Sequence, residues 1–132
     1  MEGVFMSKKQ QFEFQILTDF LNSKLKRKEA AQLLEVRERT ISRKARKIVE
    51  NTNYILAFEL LCAAQAADLR GVDKLSPSGK IMYKATRETL EYMDYDKVYM
   101  DDLEELKSRI ESGEFVEKVE KEVGELLIVH EK

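Results

Sequence analysis

The chain of 132 residues contains one cysteine, one proline, one histidine, five glycines and no tryptophan. A single cysteine, Cys62, excludes an intramolecular disulfide framework and fits a reducing compartment. With only His130 to join it, neither a zinc site nor a Cys–His catalytic pair is expected, and no metal ligand set is assigned. So few prolines and glycines do not suit a loop-rich all-β fold built on tight turns. No stretch reaches the ~18 consecutive apolar residues that a membrane helix needs. The segment from Met1 to Gln10 lacks the apolar region of a secretory signal. These absences predict a cytoplasmic protein with no membrane partner.

Charged residues make up 36% of the chain and hydrophobic residues 43%, a mixture that suits a helical protein with a core and argues against disorder. The net charge of −2 conceals an asymmetry. Residues 1–50 carry 12 Lys and Arg against 7 Asp and Glu, a net of +5, and residues 51–132 carry 11 against 18, a net of −7. The basic excess peaks between Lys24 and Lys47, with 10 basic and 3 acidic residues. Opposite charge in the two halves suggests two parts with different partners. The division adopted is a basic module over 1–47 and a helical region over 48–132.

Apolar spacing predicts an all-α fold. Phe12, Ile16, Leu17, Phe20 and Leu21 mark a helix over about 8–22, and Asn22-Ser23 a break. A second helix runs from about Lys26 to Leu34, and a third starts near Glu38 or Arg39. Neither glycine nor proline occurs between Val4 and Arg70, so the third helix can continue to Leu69. From Tyr54 to Leu69, 13 of 16 residues are apolar, many of them alanine. A helix apolar nearly all round requires cover on most sides, which predicts self-association along Ile55, Phe58, Leu61, Cys62 and Gln65. Cys62, among apolar neighbours, is expected to be a buried, inert thiol. Ser76-Pro77 opens a further helix over about 77–93. Asp94 to Lys97 read as a loop, and their acidic residues do not match an EF-hand pattern. Asp101 to Glu104 resemble a capping box, Ser112-Gly113 closes that helix, and Phe115, Val116 and Val119 support one more. The tail from Leu126 to Val129 has no assigned state, and His130 reads as a terminal residue.

The run from Lys28 to Arg43 resembles the helix-turn-helix of bacterial regulators and transposases. Ala31 allows close helix approach, Val36 fills the space under the turn, and Ile41 anchors the second helix on the same core. Glu35 occupies the turn position where glycine is usual. The resemblance implies a DNA partner, contacted by Arg37 in the turn and by Arg39, Thr40, Arg43, Lys44 and Lys47 on the second helix.

Val49-Glu50-Asn51-Thr52 and the run from Ile55 to Arg70, which includes Glu59-Leu60-Leu61-Cys62-Ala63-Ala64-Gln65, resemble the C-terminal region of the histidine ammonia-lyases, within the aromatic amino acid ammonia-lyase family. Tyr83, Arg87, Glu88, Tyr95-Asp96 and Asp101 to Glu104 continue the likeness, which covers about 41–125. It overlaps the helix-turn-helix at Ile41 to Ile48. The resemblance implies a bundle of long helices buried in a homotetramer. It also implies elimination of ammonia from L-histidine at a methylidene-imidazolone made from an Ala-Ser-Gly triplet. That triplet is absent here: Ser78-Gly79 follows Pro77 and Ser112-Gly113 follows Glu111. No catalytic residue and no cofactor is carried over. The expectation is a lyase-like C-terminal region joined to a helix-turn-helix and inactive by itself. Two alternatives stand beside it: a DNA-binding regulator or transposase-derived protein that oligomerises through its C-terminal helices, and a subunit that complements a separate N-terminal lyase part.

Overall fold

The computed structural model describes residues 6–95 and 98–126, and every regular element among them is helical. Asp96, Lys97, the tail from Leu127 and His130 lie outside the described residues. The elements are α1 (Lys8–Leu21), α2 (Arg27–Leu33), α3 (Glu38–Arg70), a 3-10 turn (Val72–Lys74), α4 (Pro77–Arg87), α5 (Met100–Glu111) and α6 (Glu114–Val123). None of the helices among these residues is long and apolar enough to cross a membrane. The chain divides into two compact units, Met1–Asn51 and Thr52–Lys132, and α3 contributes residues to both.

In the first unit, Ser7 caps α1: its hydroxyl accepts from the Gln10 amide while the Gln10 side chain accepts from the Ser7 amide. This reciprocal pair satisfies two of the amides that a helix start leaves open. The core holds Ile16 and Leu17 from α1, Ala30 and Ala31 from α2 and Ile41 from α3, with Phe20, Leu25, Leu34, Val36 and Ile48 packed around it.

The second unit is built on Ala57 and Leu61 of α3, Ala85 of α4, Leu90 beyond it, Leu103 and Leu106 of α5, and Phe115 of α6. Ser76 caps α4 by accepting from the Gly79 amide, with Pro77 at the first helical position. Two boundaries differ from the sequence reading. α4 ends at Arg87, so Leu90 and Met93 are apolar without being helical. The Gln65 side chain explains the change: it donates to the Met93 carbonyl (3.0 Å) and accepts from the Met93 amide (3.1 Å), replacing the bonds of another helical turn. α5 is capped at Tyr99, so Asp101 lies inside its first turn and not at a cap. There its charge still complements the helix dipole.

Leu106 is fully buried. Leu106→Ala should lower unfolding free energy by ~2–5 kcal/mol through lost transfer energy and a residual cavity. Val116→Ala, at a half-exposed neighbour on α6, should change it by less than about 1 kcal/mol. Urea denaturation followed by circular dichroism measures both.

Candidate functional site

The connection between α2 and α3 is a closed turn. The Val36 amide donates to the Ala31 carbonyl (3.0 Å) and the Glu35 amide to the Gln32 carbonyl (3.2 Å). This nested pair is the Schellman arrangement, which needs a left-handed residue at the position held by Glu35. Glu35 adopts φ +53°, a conformation that a side chain ordinarily disfavours. With the turn fixed this way, Val36 packs on the cluster of Ala30, Ala31 and Ile41.

The first three turns of α3 sort their basic residues by face. Ile41 and Ala45 are buried, whereas Arg39, Arg43 and Lys47, four residues apart, share an exposed face. Arg46 is exposed as well, Arg37 is exposed in the turn, and Thr40 is half-buried. Lys44 stands apart from the open face. It is half-buried and forms an ion pair with Glu13 of α1, so its charge is largely answered within the unit. Arg27 and Glu38 make an exposed pair at 3.0 Å, a surface contact of the kind that contributes little.

The face predicted for self-association is partly rearranged. Leu61 is only 7% exposed and belongs to the core of its own unit. Gln65 is tied to Met93 and Arg87. Ala57, Ala64 and Ala67 are buried too, within the unit, whereas Ala63 and Ala66 are exposed. The remaining candidates point elsewhere: Ile55 is 59% exposed, Phe58 51% and Cys62 exposed, and Leu69, at 73%, joins them. At about 100° per residue these four fall within a ~60° arc on the side of α3 away from its core residues. Among the described residues, this side of the helix is therefore left uncovered. Cys62 is exposed, against the expectation of a buried thiol, because one step from Leu61 turns it away from the core.

Two charged networks went unrecognised in the sequence. Arg87 donates to Asp68 (2.5 Å), to Gln65 (3.3 Å) and to the carbonyls of Leu90 and Glu91, and its guanidinium lies 5.8 Å from the centre of the Tyr83 ring. Tyr83 donates its hydroxyl to Asp68 (2.5 Å). That hydrogen bond, joined by Arg87, holds the Asp68 carboxyl below its usual range, and it raises the Tyr83 hydroxyl. The second network centres on Arg109 of α5. It donates to both oxygens of Glu114, to Glu88, to Thr89 and to the Ala85 carbonyl, at 2.6–3.0 Å. Lys118 bridges Glu88 and Glu114 at 2.7 and 2.9 Å. Arg109 first, then Lys118, pulls the Glu114 carboxyl from 4.5 to about 2. Only the Glu114–Lys118 spacing, i to i+4 on one helix, hinted at this network in the sequence. Among the described residues no group of His, Cys, Asp and Glu is arranged to hold a metal ion.

Residues 38–88 match the family described as aromatic amino acid lyase. A histidine ammonia-lyase of Symbiobacterium thermophilum is 40% identical over 87 residues, which is 66% of this chain and 17% of that protein. This segment is homologous to the aromatic amino acid lyases. A tyrosine ammonia-lyase of Cupriavidus metallidurans is 39% identical over 79 residues, 59% of this chain and 15% of that protein. A MIO-dependent tyrosine 2,3-aminomutase of Streptomyces globisporus is 39% identical over 82 residues, 61% of this chain and 15% of that protein. The chain thus spans about a sixth of the length of these relatives. No solved structure matches it significantly. The lyase match opens at the first residue of α3, so Arg39, Thr40, Arg43, Lys44 and Lys47 all lie inside it, and Arg37 alone precedes it. Gln65, Asp68, Tyr83 and Arg87 fall within the match, whereas Arg109, Glu114 and Lys118 lie beyond it.

The lowered carboxyls of Asp68, Glu88 and Glu114 set an acid limit on the fold. A group whose folded pKa is depressed stabilises above its unfolded pKa, and that contribution is lost as pH falls through the folded value. For Glu114 the window runs from 4.5 down to about 2. The melting temperature should hold steady from neutral pH to about 5 and fall below it. Glu114→Gln should lower the neutral-pH value and flatten the acid decline, as read by circular dichroism melts across pH.

Proposed function

We propose that the chain is a lyase-derived helical module without ammonia-lyase activity of its own. One observation carries this reading: the segment homologous to the lyases is present, while the Ala-Ser-Gly precursor of the electrophile occurs nowhere in the 132 residues. Tyr83, Arg87, Asp68 and Gln65 bond to one another and to the backbone of 90–93, an arrangement that supports a structural role for them. The purified chain given L-histidine should produce no rise in urocanate absorbance. A rise with this chain alone would overturn the proposal. A rise only on adding a separately made N-terminal lyase part would assign the chain to a complementing subunit.

The assembly expected of this module is a homo-oligomer built on the exposed arc of Ile55, Phe58 and Leu69. The support is the size of these side chains and their shared face on one helix. Phe58→Asp should shift the species seen by light scattering toward monomer, with helicity unchanged. A wild-type chain that is monomeric at tens of micromolar would count against this assembly.

A second reading, DNA binding by the first unit, is favoured by the fixed turn at Glu35 and the exposed face of Arg39, Arg43 and Lys47. With Lys44 answered by Glu13, the three cations of that shared face, Arg39, Arg43 and Lys47, remain to neutralise phosphates. The logarithm of the binding constant should then fall against the logarithm of salt with a slope of about −3 per protomer. Arg43→Ala with Lys47→Ala should make that slope shallower by about 2. Fluorescence anisotropy with a random duplex gives both values. No binding at tens of micromolar protein and low salt would leave the basic face as solvated surface.

A further inference from the structure

Two cavities of the second unit join into one apolar groove. The first, of about 390 Å³, is walled by Met82 of α4, by Phe115, Val116 and Val119 of α6, and by Leu126. The second, of about 180 Å³, shares Met82, Phe115 and Val116 and adds Leu56 and Leu60 of α3. Among the described residues no charged side chain lines either cavity. Leu56 and Val116 are exposed, so the groove leaves large apolar side chains to water. At about 100° per residue, Leu56 and Leu60 stand about 100° or more round α3 from Ile55, Phe58 and Leu69. The groove is therefore a different surface from the arc proposed for self-association.

The chain itself leads into this groove. Gly124, at φ +88°, ends α6, and the Leu126 amide then donates to the Glu120 carboxylate (3.0 Å), so the backbone has turned back beside the helix it left. Leu126 enters the groove in company with Val119. The sequence continues Leu127-Ile128-Val129, completing four consecutive large apolar residues, a run that a water-facing segment does not ordinarily carry. The lengths agree as well. Three extended residues span about 10 Å, and the six residues of helix from Val119 back to Gly113 rise about 9 Å.

We propose that Leu127, Ile128 and Val129 of this same chain occupy the groove, running back along α6 and covering Val116, Met82 and Leu56. Burial of apolar side chains on both sides drives the docking. A groove without charge favours such a segment over a polar ligand. Docked, the tail withholds this surface from other chains.

The chain has no tryptophan, so Ile128→Trp places a sole indole on the tail, and Lys132→Trp gives a control beyond the apolar run. Emission of the Ile128→Trp chain should be shifted to the blue of the control, with most of its iodide quenching lost. Val116→Asp, added to the Ile128→Trp chain, should return both readings to control values. If that variant fails to fold by circular dichroism, Leu126→Asp, outside every helix, serves the same purpose. In the chain without tryptophan, Leu127→Asp with Ile128→Asp should speed peroxide oxidation of Met82 severalfold, read by peptide mass spectrometry against the exposed Met100. An indole at 128 as exposed as the control in a folded chain, burial that the folded groove variants leave intact, or unchanged Met82 oxidation would overturn the proposal. So would burial that is lost on dilution along with a dimer in sedimentation velocity, since the groove would then hold the tail of a second copy.

Discussion

The second unit depends on one guanidinium. Arg109 is 13% exposed, and a charge that far from water must have all its donors answered. It has five N–H groups, and the structure supplies five acceptors: two oxygens of Glu114, one of Glu88, the Thr89 hydroxyl and the Ala85 carbonyl. Those acceptors come from the last turns of α4, the residues just after it and the start of α6. The planar fork of arginine fixes them relative to α5 in a way that a lysine could not. The Phe115 ring sits 5.2 Å from the guanidinium carbon and links the charged cluster to the apolar core beneath. Arg87 makes a second but incomplete set, with Asp68 and Gln65 of α3 and the carbonyls of Leu90 and Glu91 as acceptors for its two terminal nitrogens, while its buried Nε finds no acceptor among the described residues.

This polar framework also marks where sequence pattern stops being informative. Helix positions were legible, because apolar spacing at Ile16, Leu17 and Ile41 reports a core directly, and Ser76-Pro77 is a start signal with a local mechanism. The end of α4 was not legible. Leu90 and Met93 keep helical spacing, yet their backbone is held by Gln65, 28 residues away from Met93. A long-range side-chain bond to backbone leaves no local signature. The face of α3 was misassigned for a related reason. Between Tyr54 and Leu69 nearly every residue is apolar, so periodicity cannot say which side is buried; the partners on α4, α5 and α6 decide it. Leu61 went inward with Ala57 and Ala64, and Cys62 outward with Phe58.

The basic start of α3 shows how one stretch can satisfy two descriptions. Its buried residues, Ile41 and Ala45, meet the packing demand of a short helical unit, and its exposed ones supply positive charge. The lyase match begins at residue 38, so that charge sits within a lyase-like segment. Composition alone therefore does not separate inherited surface from a nucleic-acid contact. What the structure adds is the division within the cluster: Lys44 turns inward to Glu13, while Arg39, Arg43 and Lys47 face solvent.

Cys62 is the sole cysteine in the chain and lies at the surface of α3, between Phe58 and Leu69. That position gives the molecule a ready spectroscopic handle. A maleimide dye or nitroxide label attaches at one defined place without any engineered residue, beside large apolar side chains whose surroundings a label would report. The same thiol makes handling in air a chemical variable, because two chains that meet along this helix bring two sulfurs within reach of oxidation, and a reductant in the buffer keeps a covalent pair from being mistaken for a physical one.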